Sequence, residues 1–409
     1  MTIADLPHLL RETEQITNIF INAKKSLYLV GGIVRDLLLE MDVTSNVDID
    51  LTTDALPEEI KDIVAPLAEN LWLPGEKFGT IGIHLNGRIY EITTHRAESY
   101  SADSRKPQVT YSTDINEDLS RRDFTVNAMA ISLPEGTLID PFQGEHDLAQ
   151  GLLRTPLTPQ ESFSDDPLRM LRAARFMAVY KLTPDHELVN AMADLIDRFS
   201  IVSAERILGE LDKLLQAKHP EGGLQLLHDT GLLRLFLPEV SPDRFQYIAG
   251  IPADPTLRIA AILAETAQSD YDKRLRSLRY SKERISIIRQ AIEGASRILS
   301  NPVGDSDYRR WYFQTGEYRE QSYQIALTLG ENVPEIWEKM EETRISLGEE
   351  LNDFSLPVSG DEIMEILQIK EGQMVGQALK YLQEQRFDKG PFTDLDAREM
   401  LHAWWEKNK

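Results

Sequence analysis

Hydrophobic and polar positions divide the chain into a first part of about 150 residues, which mixes strand and helix patterns, and a remainder with helical spacing. Short apolar or alternating runs predict strands over 27–30, 47–51, 80–85 and 88–93. The last two flank Asn86-Gly87, a dipeptide typical of a tight hairpin turn. Helices are predicted over 1–20, 33–40 and 58–70. Residues 97–116 are polar with few aliphatic side chains, which predicts a mobile loop.

The remainder repeats apolar residues three and four positions apart, the spacing of helices with one buried face. Ser203 is a candidate N-cap for one of them. The predicted helices lie over 167–180, 203–216, 256–268, 282–299, 320–330, 360–367, 373–386 and 394–407. We therefore expect an α+β head, a small mixed sheet with helices, followed by an all-α neck, body and tail. The expected boundaries are 1–150, 151–217 and 218–409.

Composition narrows the classes of function. The 409 residues contain no cysteine, which excludes disulfides, thiolate metal sites and a cysteine nucleophile. No apolar run is long enough to span a bilayer, and the first residues lack the basic and apolar stretches of a signal peptide. We therefore expect a cytoplasmic protein that does not associate with a membrane. The net charge of −23 argues against general nucleic-acid affinity but allows a local basic groove.

Candidate chemistry gathers in the first part of the chain. Gly31 and Gly32 follow a predicted strand, where glycines let backbone N–H groups approach a phosphate, and Arg35 could add charge. Asp48 and Asp50 lie two apart on a predicted strand and therefore face the same side. Paired carboxylates suit Mg²⁺ that bridges phosphates, and Glu91 is a candidate third ligand.

A basic segment, RRDFTVNA, occupies residues 121–128. Arginines such as Arg122 match the oxygens of a triphosphate through paired hydrogen bonds. Asp123 and Asn127 could bind a ribose hydroxyl or brace the turn. The segment thus adds candidate nucleotide ligands to the glycine turn and the carboxylate pair.

Taken in order, these segments resemble those of the class II tRNA nucleotidyltransferases and bacterial poly(A) polymerases, members of the polymerase-beta-like nucleotidyltransferase superfamily. The segments are GGIVRD at 31–36, DID at 48–50, RRDFTVNA at 121–128, DPFQG at 140–144 continuing to Arg154, DDPLRMLRAARF at 165–176 and SAER at 203–206. The resemblance is strong over about residues 25–240. It implies transfer of CMP or AMP from CTP or ATP to a tRNA 3′ end, with release of pyrophosphate.

The resemblance also implies roles for residues. Asp48 and Asp50 would be catalytic and hold two Mg²⁺ ions, with Glu91 as a further ligand. Asp166 and Arg169, three apart on a predicted helix, would read the base. Cytosine and adenine present an amino donor beside a ring-nitrogen acceptor, which a carboxylate and a guanidinium can match; uracil and guanine reverse that order. The remaining nucleotide ligands are expected to be Gly31, Gly32, Arg35, Arg122, Asp123, Arg172 and Arg175.

Three alternatives stay open at this point. The segment at 75–83 resembles the corresponding segment of enzymes that add nucleotides to tRNA ends. The presence of the loop with Arg105 and Lys106 disfavours an enzyme that adds only cytidines. An enzyme that adds only the final adenosine remains possible, as does a poly(A) polymerase. A catalytically silent RNA-binding protein is disfavoured by the intact pair Asp48 and Asp50.

The last part of the chain offers little catalytic chemistry. His228-Asp229 could belong to a His-Asp phosphohydrolase module, but the next histidine is His402, so we expect no such site. Cationic side chains cluster over 273–310 and predict a surface for the tRNA acceptor and T arm. The candidate RNA-binding residues are Arg274, Arg276, Arg279, Lys282, Arg309 and Arg310. No protein partner is implied.

Overall fold

The computed structural model describes residues 5–43, 48–75, 79–101, 104–302 and 304–408. The chain forms two compact units, Met1–Pro238 and Glu239–Lys409. Strands of the first unit are β1 Leu27–Val30, β2 Ile49–Thr53, β3 Asn70–Gly75, β4 Thr80–Leu85, β5 Arg88–Thr94, β6 Arg96–Ser101, β7 Ser104–Tyr111, β8 Ala130–Leu133, β9 Leu138–Ile139, β10 Leu152–Leu153 and β11 Thr183–Pro184. Its helices are α1 Leu6–Glu12, α2 Glu14–Asn22, α3 Gly32–Leu38, α4 Pro57–Val64, α5 Ile115–Ser120, α6 Gly144–Gln150, α7 Pro159–Asp165, α8 Leu168–Tyr180, α9 His186–Asp194, α10 Ala204–Gln216, α11 Glu221–Asp229 and α12 Leu233–Phe236.

A mixed sheet organises the head. Within the described residues its order is β3-β4-β5-β2-β1-β8-β9. The β2 and β5 strands run parallel, whereas β1 runs antiparallel to both β2 and β8. Apolar side chains such as Leu29, Ile49 and Ile92 are fully buried, which fixes the register because a shift by one residue would expose them. The polar residues of β2 and the turn after β1 are thereby brought to one part of the sheet.

The second unit is helical throughout its described residues. Its helices are α13 Phe245–Ile248, α14 Pro255–Leu263, α15 Gln268–Ser277, α16 Lys282–Leu299, α17 Asp305–Thr315, α18 Arg319–Leu327, α19 Val333–Leu347, α20 Gly360–Leu367, α21 Gln373–Lys389 and α22 Asp394–Asn408. Buried residues including Ile363, Leu382 and Leu401 form one of its apolar clusters. In neither unit do the described residues include a helix long and apolar enough to cross a membrane. The predicted fold class, an α+β head followed by helices, is confirmed.

Two predictions about elements need correction. Residues 97–116 were expected to form a mobile loop, but β6 and β7 pair antiparallel across most of this segment and α5 begins at Ile115. The two strands form a separate sheet within the described residues. Their sequence does not show the alternation of apolar and polar residues by which strands of a core sheet are predicted. The pattern also missed other elements, among them β3, β8, α6, α7, α9, α11, α15, α17 and α19. The division at 150 and 217 is finer than the two observed units and stays a prediction.

Candidate active site

An open groove with a volume of about 320 Å³ lies on the first unit. Its walls come from the turn after β1, the start of β2, the segment after α5, and the helices α8 and α10. The lining residues are Gly31, Gly32, Asp50, Arg121, Arg122, Asp123, Asn127, Asp166, Arg169, Arg172 and Arg206. The structure therefore brings most of the predicted nucleotide ligands together with one predicted catalytic carboxylate.

The turn between β1 and α3 requires glycine for two separate reasons. Gly31 has a φ of +74°, a conformation that strains other residues. A Cβ atom at this position would also lie 2.9 Å from Nη1 of Arg122. The missing side chain thus lets a guanidinium approach the backbone at the N-terminus of α3, which is the arrangement expected of a phosphate-binding turn.

Three carboxylates lie on neighbouring parallel strands beside this turn. Asp50 is on β2 and Glu91 is its direct partner on β5, while Asp48 immediately precedes β2. Asp48 and Asp50 are both exposed. The pKa of the Asp50 carboxyl is nevertheless raised from 3.8 to about 6, mainly because surrounding protein atoms remove water from it; Arg122 opposes this rise, and the charges of Glu91 and Asp48 contribute to it. The negative charges of these acids repel one another, so a cation bound between them would be stabilised electrostatically.

The donor set fits a metal ion that takes part of its coordination from a substrate. Within the described residues no three His, Cys, Asp or Glu side chains are arranged to hold a metal by themselves. Mg²⁺ is commonly held by one or two carboxylates, with phosphate oxygens and water completing its shell. Asp48 and Asp50 meet that requirement. Glu91 lies near enough to Asp50 to influence its pKa, and its role as a ligand stays a prediction.

Asp118 on α5 anchors the two arginines of the basic segment. Its carboxylate accepts hydrogen bonds from Arg121 at 2.6 Å and from Arg122 at 3.0 Å. Burial alone would raise the pKa of Asp118, but the two guanidinium groups outweigh burial and lower it to about 2. Sequence reasoning missed this residue because an acid three and four positions before two arginines is also the pattern of an ordinary surface helix.

Asp123 braces the groove from within. One oxygen accepts hydrogen bonds from Asn127 Nδ2 and the Phe124 N–H, both at 2.9 Å, and the other accepts from Arg172 Nε at 2.9 Å. Burial alone would raise the pKa of Asp123, yet Arg172 and Asn127 hold it below its usual range. Of the two roles expected for Asp123 and Asn127, bracing the turn is the one that these contacts favour over binding a ribose.

Two of the predicted nucleotide ligands do not line the groove. Arg35 is 5% exposed, donates to Asn127 at 2.6 Å, and lies over the Tyr180 ring with 4.0 Å to its centroid. Arg175 donates to Glu210 at 2.6 Å. Glu210 is itself buried and also accepts from Arg172 at 3.2 Å, so it joins α10 to α8. Arg35 and Arg175 therefore make contacts within the protein, and their roles as nucleotide ligands stay predictions.

The predicted base-reading pair occupies two elements, not one. Asp166 follows α7 in an extended conformation, and Arg169 lies in the first turn of α8. The expectation that both lie on one helix is thus corrected, although both line the groove. Arg169 donates to Ser162 Oγ at 2.8 Å and to the Arg121 carbonyl at 2.5 Å. Asp166 forms its ion pair with Arg206 of α10.

The arginines expected to bind RNA lie in the second unit and differ in exposure. Arg276 is exposed, and Arg274 donates to Glu239 at 2.8 Å. Arg310 pairs with Glu384 at 2.9 Å. Arg309 is only 7% exposed and donates to Glu350 at 2.8 Å and to the Phe387 carbonyl. The expectation that Arg309 lies on the RNA-facing surface is corrected by this burial, because its guanidinium serves the packing of α17 against α21.

Arg279 and Lys282, the other two expected RNA-binding residues, lie between these arginines in the chain. Arg279 precedes α16 and has a φ of +68°, and Lys282 is the exposed first residue of that helix. Their contribution to RNA binding stays a prediction.

Family models match two segments of the chain. Residues 27–154 match the poly A polymerase head domain, and residues 181–244 match a model described as the probable RNA and SrmB-binding site of polymerase A. The first segment contains the glycine turn, the carboxylates and the basic segment. The second contains Arg206 and Glu210. Asp166 and Arg169 lie in the interval between the two matches.

Similarity to whole proteins extends over nearly the full chain. The CCA-adding enzyme of Geobacillus sp. (strain WCH70) is 33% identical over 390 residues, 92% of each chain. The CCA-adding enzyme of Bacillus velezensis is 32% identical over 389 residues, covering 92% of this chain and 94% of that one. A crystal structure of the Bacillus stearothermophilus CCA-adding enzyme in complex with CTP matches with a TM-score of 0.79 and 25% identity, covering 98% and 99% of the two chains.

Proposed function

Because the chain belongs to the family of CCA-adding enzymes, which are tRNA nucleotidyltransferases, we propose that it adds CMP and AMP from CTP and ATP to the 3′ end of tRNA. The observation that carries this proposal is the groove, which places Asp50, the Gly31 turn and the pair Asp166 and Arg169 on one surface. The two curated relatives named above match 92% of this chain and are CCA-adding enzymes, so addition of all three nucleotides is favoured over poly(A) synthesis or addition of the last adenosine alone.

The reaction joins the 3′ oxygen of tRNA to the α-phosphorus of the nucleotide and breaks the bond between the α- and β-phosphates, releasing pyrophosphate. Nucleotidyltransferases generally use a divalent metal, and we propose two Mg²⁺ ions held by Asp48 and Asp50. Bound there, the metal supplies neutralisation of phosphate charge and a lower pKa for the attacking hydroxyl. We assign the open side of the groove to the entry of both substrates.

The side chains around the groove have separate tasks. Gly31, Gly32 and Arg122 line the same groove, and backbone N–H groups and a guanidinium are suited to phosphate oxygens. Arg172 is kept charged, because Asp123 and Glu210 raise its pKa against the lowering effect of burial. It lines the groove and adds a positive charge close to the proposed triphosphate position.

Asp166 and Arg169 would select the base. A carboxylate accepts from the amino group of cytosine or adenine, and a guanidinium donates to the adjacent acceptor. Uracil and guanine would place a carbonyl against the carboxylate and leave polar groups unpaired, which makes rejection strong. Our proposal therefore includes acceptance of CTP and ATP and exclusion of UTP and GTP by the same two residues.

The proposal is tested with three RNAs: a tRNA lacking CCA, a tRNA ending in CC, and an unrelated RNA, each supplied with CTP, ATP or both. We expect CCA on the first and one adenosine on the second. Long adenosine tails on the unrelated RNA would show a poly(A) polymerase instead. Activity only on the tRNA ending in CC would show an enzyme for the last adenosine, and no addition to any RNA would favour a silent RNA-binding protein. A cytoplasmic location and tRNA as the partner are parts of this proposal.

A further inference from the structure

A cavity of about 350 Å³ lies in the helical second unit, among residues to which the proposed reaction gives no role. The starts of α14 and α18 and the middle of α16 line it. None of its lining residues belongs to the groove around Asp50. The cavity is therefore a separate candidate site, and the chemistry of its walls indicates what it can hold.

Most of the wall surface is apolar. Leu257 on α14 and Ile288 on α16 are buried residues that line the cavity, and Ile287, the neighbour of Ile288, is half-buried there. Hydrocarbon that packs against these side chains leaves water, which is favourable. The walls therefore suit a ligand with an apolar part.

Two carboxylates at the cavity each keep one oxygen without a hydrogen bond. Asp254 caps α14 through Oδ1, which accepts from the Thr256 N–H at 2.6 Å and from the Leu257 N–H at 3.0 Å. Glu320 on α18 accepts from Gln324 Nε2 at 2.9 Å through Oε1. Among the described residues, nothing donates to Asp254 Oδ2 or to Glu320 Oε2. Both side chains are exposed, so these oxygens are open to a ligand that arrives from solvent.

The other polar groups at the cavity add acceptors and no positive charge. Gln321 lines it, and Gln321 Oε1 is buried without a hydrogen-bond partner in the described part of the chain. A buried acceptor without a donor is costly, which favours a ligand that carries N–H groups. The described lining residues include no lysine or arginine. Arg284 of α16 donates to Thr256 Oγ1 at 2.9 Å and lies over the Tyr280 ring without lining the cavity. Phosphates and carboxylates are therefore disfavoured as ligands, and cations are favoured.

We propose that this cavity binds an aliphatic diamine or polyamine. The hydrocarbon chain packs against the apolar wall, and the ammonium groups donate to Asp254 and Glu320. These carboxylates belong to different helices, which favours a ligand with more than one ammonium group. A Mg²⁺ ion would meet the acidic oxygens but gain nothing from the apolar wall, because it retains several waters. An alcohol of the same length would meet the apolar wall but bring no charge. The site is independent of the proposed nucleotide addition.

The test is calorimetric titration of the full chain with 1,6-diaminohexane at low ionic strength. Three further ligands separate the contributions: 1-aminohexane lacks one ammonium group, 1,6-hexanediol lacks both, and MgCl2 supplies charge without hydrocarbon. The double variant Asp254→Asn/Glu320→Gln removes both negative charges, and asparagine still caps a helix as aspartate does. Glu338→Gln is the matched control for general attraction to a chain of net charge −23, because Glu338 is an exposed acid on α19 that does not line the cavity.

We expect one molecule of 1,6-diaminohexane to bind per chain. Affinity should be about threefold weaker for 1-aminohexane and about tenfold weaker for 1,6-hexanediol, because each exposed ion pair contributes a few-fold. The double variant should bind the diamine about tenfold more weakly, and Glu338→Gln should bind it as the wild type does. If the double variant does not fold, Glu320→Gln alone should show a loss of about threefold.

Four results would each overturn the inference. Equal binding of the diamine and the diol would show a purely apolar pocket. Displacement of the diamine by MgCl2, beyond that caused by NaCl of the same ionic strength, would show a site for an inorganic cation. An equal loss in Glu338→Gln would show attraction to the acidic protein as a whole, and absence of saturable binding would show no site. Since no step of this test requires nucleotide addition, failure of the proposed function would leave its result unaffected.

Discussion

At the scale of single residues, Asp50 is the carboxylate on which the proposed chemistry depends most. Its pKa of about 6 reflects lost hydration together with the nearby charges of Glu91 and Asp48. We expect Asp50→Asn to lower nucleotide addition at least about 1,000-fold, equivalent to roughly 4 kcal/mol of transition-state stabilisation. Single-turnover addition of CMP measures the effect. Glu58→Gln, an exposed acid on α4, serves as the control. Retained activity in Asp50→Asn would refute the metal assignment.

Asp118 gives a pH-dependent prediction. Its pKa is lowered to about 2, so the ionised carboxylate stabilises the fold above pH 4, and this stabilisation is lost as the pH falls through about 2. The shift from 3.8 corresponds to about 2 kcal/mol. Asp118→Asn should therefore lower the free energy of unfolding at pH 7, and the gap to the wild type should narrow between pH 4 and pH 2. Denaturant unfolding across this range measures it.

A matched variant separates Asp118 from its surroundings. Glu117→Gln changes the adjacent, exposed acid of the same helix and should leave the pH dependence of unfolding unchanged. A constant gap between Asp118→Asn and the wild type from pH 7 to pH 2 would contradict the assigned cause, namely the ion pairs with Arg121 and Arg122.

Site residues that belong to a short motif could be predicted from the sequence, whereas residues whose contacts join distant segments could not. Gly31, Gly32 and Asp50 lie in short segments whose spacing is already informative, and the structure places them in one groove. Glu210 and Arg206 contact residues 35 to 40 positions away, a distance that no local pattern encodes. They were missed as individual site residues for that reason.

At the scale of elements, the turn from β1 into α3 can be tested by a pair of glycine variants. Gly31 and Gly87 both have positive φ values, +74° and +77°, so alanine strains the backbone at each position, by at least about 1 kcal/mol. Only at Gly31 would the new Cβ collide, with Arg122 Nη1; at Gly87 nothing lies within 4 Å. We expect Gly31→Ala to raise KM for CTP at least about tenfold and Gly87→Ala to leave it nearly unchanged. Equal effects would show that backbone strain alone matters.

Elements whose buried residues form a clear apolar run or period were predicted, whereas β8, α17 and α19 were missed although each has buried residues. The strands β1, β4 and β5 were found from apolar runs and alternation because they belong to the core sheet. Within the described residues β6 and β7 form a separate two-stranded sheet, and their polar sequence predicts a loop instead. In α15 only Tyr271 and Leu275 are buried, too few to reveal a helical period.

At the scale of the whole molecule, the net charge of −23 conceals a local arrangement of cations and acids. Several arginines of the second unit are neutralised within that unit: Arg274 by Glu239 and Arg310 by Glu384. Arg276 and Lys282 remain exposed. Long-range repulsion of RNA by an acidic protein is screened beyond about 10 Å at ordinary ionic strength, so a few exposed cations can govern contact with phosphates.

This reasoning predicts how tRNA affinity responds to salt. The double variant Arg276→Gln/Lys282→Gln should weaken tRNA binding several-fold and flatten the plot of log affinity against log salt by about one to two units, because each lost phosphate contact releases about 0.7–0.9 fewer ions. Arg309→Gln should instead lower the thermal midpoint and leave the salt slope unchanged, since Arg309 is buried against Glu350 and the Phe387 carbonyl. Filter binding from 50 to 200 mM salt distinguishes them. An unchanged slope in the double variant would place the RNA path elsewhere, because phosphate contacts cannot be lost without altering ion release.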